Sequence, residues 1–217
     1  MSDTNLQLNN WTDKFGQEYT DRNKMSLENL EKLYKNNYGI KRTKLNALFL
    51  DKIDSSKKIL EIGSNIGIQL LCLQKMGYKN LYGIEPQEYA VELSKKATKN
   101  INIIKGDVFN IPFKDNFFDI VFTSGVLIHI NPHDVKRALR EIYRCSKKYI
   151  WGFEYYADKY TEILYRGQKN LLWKANFPKI YMDIFTDLKA VKMKFLKYLD
   201  NDNIDLMFLL KKSGQKK

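Results

Sequence analysis

The sequence predicts an α/β domain built on an open, doubly wound and mainly parallel sheet with helices on both faces. Short apolar runs alternate with helix-length segments through the middle of the chain. Several of these runs end at a glycine or an acid, and the last two stand together with alternating polarity. With 217 residues, 44% hydrophobic and 29% charged, the chain is long enough for one domain with a sizeable core.

The first forty residues are polar and aromatic, with Trp11, Phe15 and Tyr19 ahead of a helix whose spacing is Leu27, Leu30, Leu33 and whose cap is Ser26. A second helix is expected between Lys41 and Ile53. Residues 57–63 (KKILEIG) read as the first strand, and Ile68 to Met76 as an apolar helix closed by Gly77. A second strand follows at 80–85 (NLYGIE), then a helix with Pro86 in its first turn. Residues 101–107 (INIIKGD) form the third strand. The unbroken apolar run at 117–125 (FFDIVFTSG) suits a fourth strand buried on both faces. A helix over 132–146 leads to a fifth strand at 148–156, and LKAVKMKFLKY and NIDLMFLLKK close the chain as an antiparallel pair.

Composition narrows the classes. No run approaches the roughly 18 apolar residues of a membrane span, and the N-terminus lacks the charged-then-apolar pattern of a signal peptide. Cys72 and Cys145 are too few and too far apart for a disulfide framework or a zinc site, so two buried thiols in a reducing cytoplasm are expected. The net charge is +12, and its placement matters more than its size. Residues 131–217 carry 19 basic and 10 acidic side chains, whereas residues 61–130 carry 7 of each. The excess is mostly lysine, 31 Lys against 6 Arg, which suits a solvated surface or a small anionic partner better than base-reading arginine forks.

In such a sheet, ligands sit at the carboxyl ends of the strands, so the strand ends are the candidate site. The first ends Glu61-Ile62-Gly63-Ser64-Asn65-Ile66-Gly67, where Gly63 and Gly67 permit a sharp turn and close approach of a ligand to the main chain. Asn65 tolerates positive φ there. The second strand ends at Glu85, whose carboxylate suits a pair of ribose hydroxyls. The third ends Gly106-Asp107-Val108-Phe109, an acid beside an apolar ring pocket. Taken singly, each is equally an ordinary turn or helix-start residue.

Together these ends resemble the class I S-adenosylmethionine-dependent methyltransferases, with a seven-stranded Rossmann-like sheet and a C-terminal antiparallel hairpin. The resemblance runs from about Lys57 to Tyr156. It implies that Glu61, Gly63, Ser64, Asn65 and Gly67 take the methionine portion, Glu85 and Pro86 the ribose, and Asp107 and Val108 the adenine. It also implies 1–40 as a lid or docking segment with Trp11 and Tyr19 over the cofactor. The cofactor core would be 41–156, and 157–217 would carry acceptor-side elements and closing strands. A narrower pattern, W-x-x-x-F-G-x-x-Y-x-x-R-N from Trp11 to Asn23 with LEIGSNIG, GVLIHINP, YRCS, EYY and YRG, resembles the methyltransferases associated with pseudaminic acid biosynthesis. That resemblance implies methyl transfer to a sugar, nucleotide-sugar or glycan.

For a hydroxyl acceptor, His129 after the fourth strand is the candidate base, with an imidazole near its usual value of ~6.5; the alternative is a histidine bonded to a backbone carbonyl. The Asp- or Asn-Pro-Pro-Tyr signature of DNA-base methylation is absent after the fourth strand, and no cluster of acids suggests a metal. Glu154, Tyr155, Tyr156, Arg166 and Trp173 are expected to wall a small anionic or sugar-containing acceptor. RNA methylation through the basic C-terminal third, or a non-catalytic cofactor-binding role, are the competing readings.

Overall fold

The structure, a computed structural model, describes residues 3–213. Four helices come first: α1 (Asp3–Thr12), α2 (Lys14–Asn23), α3 (Leu27–Tyr38) and α4 (Arg42–Leu50). The core then alternates through β1 (Lys58–Ile62), α5 (Ile68–Lys75), β2 (Asn80–Glu85), α6 (Glu88–Ala97), β3 (Asn102–Lys105), β4 (Phe118–Ser124), α7 (Val135–Cys145) and β5 (Ser146–Tyr155). A short hairpin of β6 (Thr161–Glu162) and β7 (Trp173–Lys174), a helix α8 (Phe177–Ile184), and strands β8 (Leu188–Lys197) and β9 (Ile204–Lys212) complete it.

The seven-stranded sheet has the order β3-β2-β1-β4-β5-β9-β8. Its first five strands are parallel, and β9 runs antiparallel to both β5 and β8. The strand order reverses between β1 and β4, the switch point at which such sheets bind ligands.

Period-two alternation assigns neighbouring residues to opposite layers. Leu60, Val121, Leu206 and Phe208 pack with α7 and α8, whereas Ile59, Ile120, Met207 and Leu209 pack with α3, α4 and α5. The central strands are therefore buried on both faces, as the apolar run of β4 predicts. At the outer edge, β8 is mostly exposed and carries Lys189, Lys192, Lys194 and Lys197, charges that discourage pairing with another chain. Part of the C-terminal charge excess is thus edge protection.

Ser26 caps α3 through Asn29 N–H at 3.2 Å, and Gly77 leaves α5 at φ 96°, both as the sequence predicts. Two boundaries differ. Pro86 precedes α6 rather than entering it, because Gln87 is the cap and accepts from Tyr89 N–H. Similarly, α7 begins at Val135, after the turn at Asn131. Cys72 and Cys145 are both buried and free.

Candidate active site

The carboxyl ends of β1, β2, β4 and β5, the loop after β3 and the amino end of β9 open into one cavity of about 380 Å³, roofed by α1, α2 and α3. The turn after β1 builds its floor. Gly63 has φ 65°, and a Cβ there would lie 2.7 Å from Val126, so glycine is needed for both conformation and space. Asn65 does adopt positive φ, 47°.

The turn and the end of β2 hold each other. Glu85 accepts Asn65 N–H on Oε2 at 2.8 Å and Gln87 N–H on Oε1 at 2.9 Å. Each oxygen keeps a lone pair, so a vicinal diol fits beside these two bonds. Burial raises the Glu85 carboxyl to about 7 against the pull of the two N–H groups. Glu61 is more deeply placed. Burial pushes it well above the carboxylate range, Arg42 opposes, and Glu85 adds to the push. Its Oε2 and the Ser64 hydroxyl are buried with no partner among the described residues. Such orphaned acceptors, lining a cavity, fit an ammonium group arriving with a ligand. Asp107 folds back to accept Phe109 N–H at 2.7 Å, and Val108 and Phe109 supply an apolar slot beside it.

The N-terminal helices lie over this grip. Gln87 Nε2 donates to Trp11 O at 3.1 Å and Asp13 O at 3.0 Å, and Asn65 Nδ2 donates to Thr20 Oγ1 at 3.1 Å. Trp11 meets Phe15, Tyr19 and His129 at ring-centroid distances of 5.3, 5.2 and 4.5 Å. Gly16 makes the helical hairpin possible, since a Cβ there would fall 1.9 Å from Trp11 O.

His129 lines the cavity in a 3-10 turn, with Nδ1 2.8 Å from Leu171 O. Only a protonated Nδ1 can bond a carbonyl, so this nitrogen donates. The expected value near 6.5 is corrected: burial lowers His129 to about 4, the Leu171 bond opposing, and the ring is neutral at physiological pH.

Of the expected acceptor wall, Tyr155 alone lines the cavity. Glu154 is buried behind it, accepting Val126 and Ile128 N–H at 3.2 and 3.4 Å, and thereby holds the turn that carries His129. Tyr156 pairs with Asp158 on the exposed side, Trp173 is buried in β7, and Arg166 sits on a turn at φ 50°. None of these three reaches the cavity, and no lysine or arginine is among its described lining residues. Among the described residues, the C-terminal positive charge stays out of the cavity lining, and Lys174 acts on Asp205 from outside it.

Sequence reasoning missed a second polar group. Asp205, on β9 opposite Tyr155, accepts from the hydroxyls of Tyr38 and Tyr198 and lines the cavity with them and Tyr34. No local motif marks it; its place depends on β9 running antiparallel.

Residues 60–149 match the family described as a methyltransferase domain. An uncharacterized methyltransferase of Oceanobacillus iheyensis is 25% identical over 152 residues, which are 67% of this chain and 70% of that protein. An EEF1A lysine methyltransferase 2 of Danio rerio is 33% identical over 93 residues, 40% of each chain. Among solved structures, a Burkholderia thailandensis 1,6-didemethyltoxoflavin N1-methyltransferase with bound S-adenosylhomocysteine shares the fold, with TM-score 0.63 and 12% identity. That superposition covers 79% of this chain and 76% of that one. S-adenosylhomocysteine is that protein's ligand; in this chain the orphaned acceptors and the Glu85 lone pairs are groups that such a molecule would fit.

Proposed function

We propose that this chain, a class I S-adenosylmethionine-dependent methyltransferase by its domain at residues 60–149, methylates a hydroxyl oxygen of a sugar, free or within a nucleotide-sugar or glycan. The observation that carries this reading is the composition of the cavity beyond the cofactor grip. There, Tyr34, Tyr38, Tyr155 and Tyr198 surround one carboxylate; no lysine or arginine is among the described lining residues, and the guanidinium close by, Arg42, is buried and donates to the Tyr34 hydroxyl at 2.6 Å. Aromatic faces pack against the C–H faces of a sugar ring, and phenol and carboxylate oxygens take its hydroxyls. An uncharged ring suits these walls, and any phosphates of the acceptor would stay outside them.

When bound, the cofactor supplies a methyl group already activated on sulfonium. The chain's own residues then have three tasks. Glu61 and Ser64 would hold the amino-acid end, Glu85 the ribose, and Asp107 with Val108 the adenine, and such a grip would fix the orientation of the methyl group. Trp11 and Tyr19 cover the site and exclude water. His129, neutral with Nδ1–H on Leu171 O, orients the wall beside the transfer site. Because its value lies near 4, it holds a proton poorly at pH 7. The hydroxyl proton released as the O–CH3 bond forms and the S–CH3 bond breaks therefore passes on to water, and positioning carries more of the rate than strong base catalysis.

The test is transfer of a labelled methyl group to a panel of sugars, nucleotide-sugars and RNA. Label on a sugar oxygen supports the reading, and label confined to RNA overturns it.

A further inference from the structure

Asp205 has two carboxylate oxygens in unlike surroundings. Oδ2 accepts from the Tyr38 hydroxyl and, at 3.2 Å, from the Tyr198 hydroxyl. Oδ1 is buried with no partner among the described residues, although the side chain as a whole is only 1% exposed and lines the cavity. A buried carboxylate oxygen without a donor costs free energy, so such an atom in a cavity wall marks where a ligand donor belongs.

The sheet indicates which ligand this is. The methionine, ribose and adenine positions occupy the ends of β1, β2 and the loop after β3, on one side of the switch point. Asp205 stands on the other side, on β9, two strands beyond β4. With neighbouring strands ~4.8 Å apart, that is roughly 10 Å from the β4 end, beside which a methyl group held by the proposed cofactor grip would be presented. One hydroxyl cannot touch both places, whereas the two ends of one sugar-sized molecule can.

We propose that Asp205 Oδ1 is the anchor for the acceptor, taking a hydroxyl hydrogen bond from the end of the sugar distant from the methylated oxygen, with Tyr38 and Tyr198 fixing the carboxylate. This rests on the sugar reading and deepens it. The anchor is a specificity-determining contact that takes no part in the transfer step. The groups facing the carboxylate are the Tyr38 and Tyr198 hydroxyls, then the charges of Lys174 on β7 and Arg42 on α4. Burial raises Asp205 to about 6 against all four. The ionised form is the better acceptor, so acceptor affinity rises with pH through about 6.

The experiment measures methyl transfer to UDP-glucose and UDP-N-acetylglucosamine by the full chain and by Asp205→Asn, with S-adenosylhomocysteine affinity as the folding control. The expected result is a KM for the sugar raised about 10- to 100-fold, kcat within about threefold, and unchanged cofactor affinity, the scale of one hydrogen bond to a charged group. The acid limb of kcat/KM near pH 6 should vanish. A Tyr38→Phe, Tyr198→Phe double variant keeps the carboxylate but removes two donors that favour its ionised form, so its limb should move to higher pH. That variant decides the matter should Asp205→Asn misfold. A KM within threefold of the parent, a loss confined to kcat, or an unmoved limb overturns the anchor while leaving sugar methylation intact. Absence of transfer to any sugar oxygen by the unaltered chain overturns both.

Discussion

Replacing Glu85 by alanine tests the cofactor grip at its most constrained point. The carboxylate already holds Asn65 N–H at 2.8 Å and Gln87 N–H at 2.9 Å, and the ribose diol would complete its hydrogen bonds. Loss of bonds to a charged group costs about 1.5–3 kcal/mol, which corresponds to a roughly 13- to 160-fold weaker Kd. The pH dependence gives a second, independent signature. With the carboxyl at about 7 in the unliganded protein, binding below that value must expel a proton. Affinity should therefore fall by about tenfold per pH unit below 7 in the parent, and stay nearly flat in Glu85→Ala. Titration calorimetry with S-adenosylhomocysteine at pH 6 and pH 8 reads both effects. Unchanged affinity at pH 8 in a folded variant would refute the assignment of Glu85 to the ribose.

The unliganded protein should also be more stable near pH 5.5 than at pH 8.5, by thermal melting. Glu85 and Glu154 at about 7 and Asp205 at about 6 lie above their unfolded values of 4.5, 4.5 and 3.8, so their contribution is full below those values and lost as pH rises through 6–7. Glu85 alone, raised from 4.5 to about 7, carries about 2 kcal/mol of this difference. His129 works oppositely: lowered from 6.5 to about 4, it contributes stability above 6.5 that is lost as pH falls through 4. A melting temperature that climbs steadily from pH 5.5 to 8.5 would contradict this balance. Gln87→Ala removes two of the bonds that hold α1 and α2 over the cavity, about 2 kcal/mol in total, and should speed cofactor release about 30-fold in stopped-flow measurements. Release at the parent rate would show that these helices do not gate the site.

Most of the sheet was legible because β1, β2, β4 and β5 are apolar runs with glycine or acid at their ends, and that signal is local. Glu61, Glu85 and Asp107, the acids proposed for the cofactor, stood out for the same reason, since each lies near the end of a strand or in the turn just after it. The N-terminal pair α1 and α2 was not. Its aromatic residues Trp11 and Tyr19 face the cavity and Phe15 packs on Trp11 and Tyr165 rather than on a continuous core, so no helical stripe of apolar residues announces them. Helix α8 carried a readable start, Asn176 accepting from Lys179 N–H with Pro178 in the first turn, but only eight residues follow the cap. Arg166 and Trp173 were read as site residues on residue type alone, and the β6–β7 hairpin carries them elsewhere. Asp205 is the converse case. A single acid in an alternating strand has no signature until the antiparallel return of β9 brings it beside Tyr155.

The account stands most directly on where the methyl group goes. Carbon-13 methyl-labelled S-adenosylmethionine, incubated with the full chain and a mixture of sugars, nucleotide-sugars and RNA, reports this through the chemical shift of the transferred carbon and the mass of the product carrying it. The account predicts one new O-methyl signal on a sugar-containing product, formed in step with S-adenosylhomocysteine. A labelled methyl on nitrogen, on carbon or on RNA would contradict it.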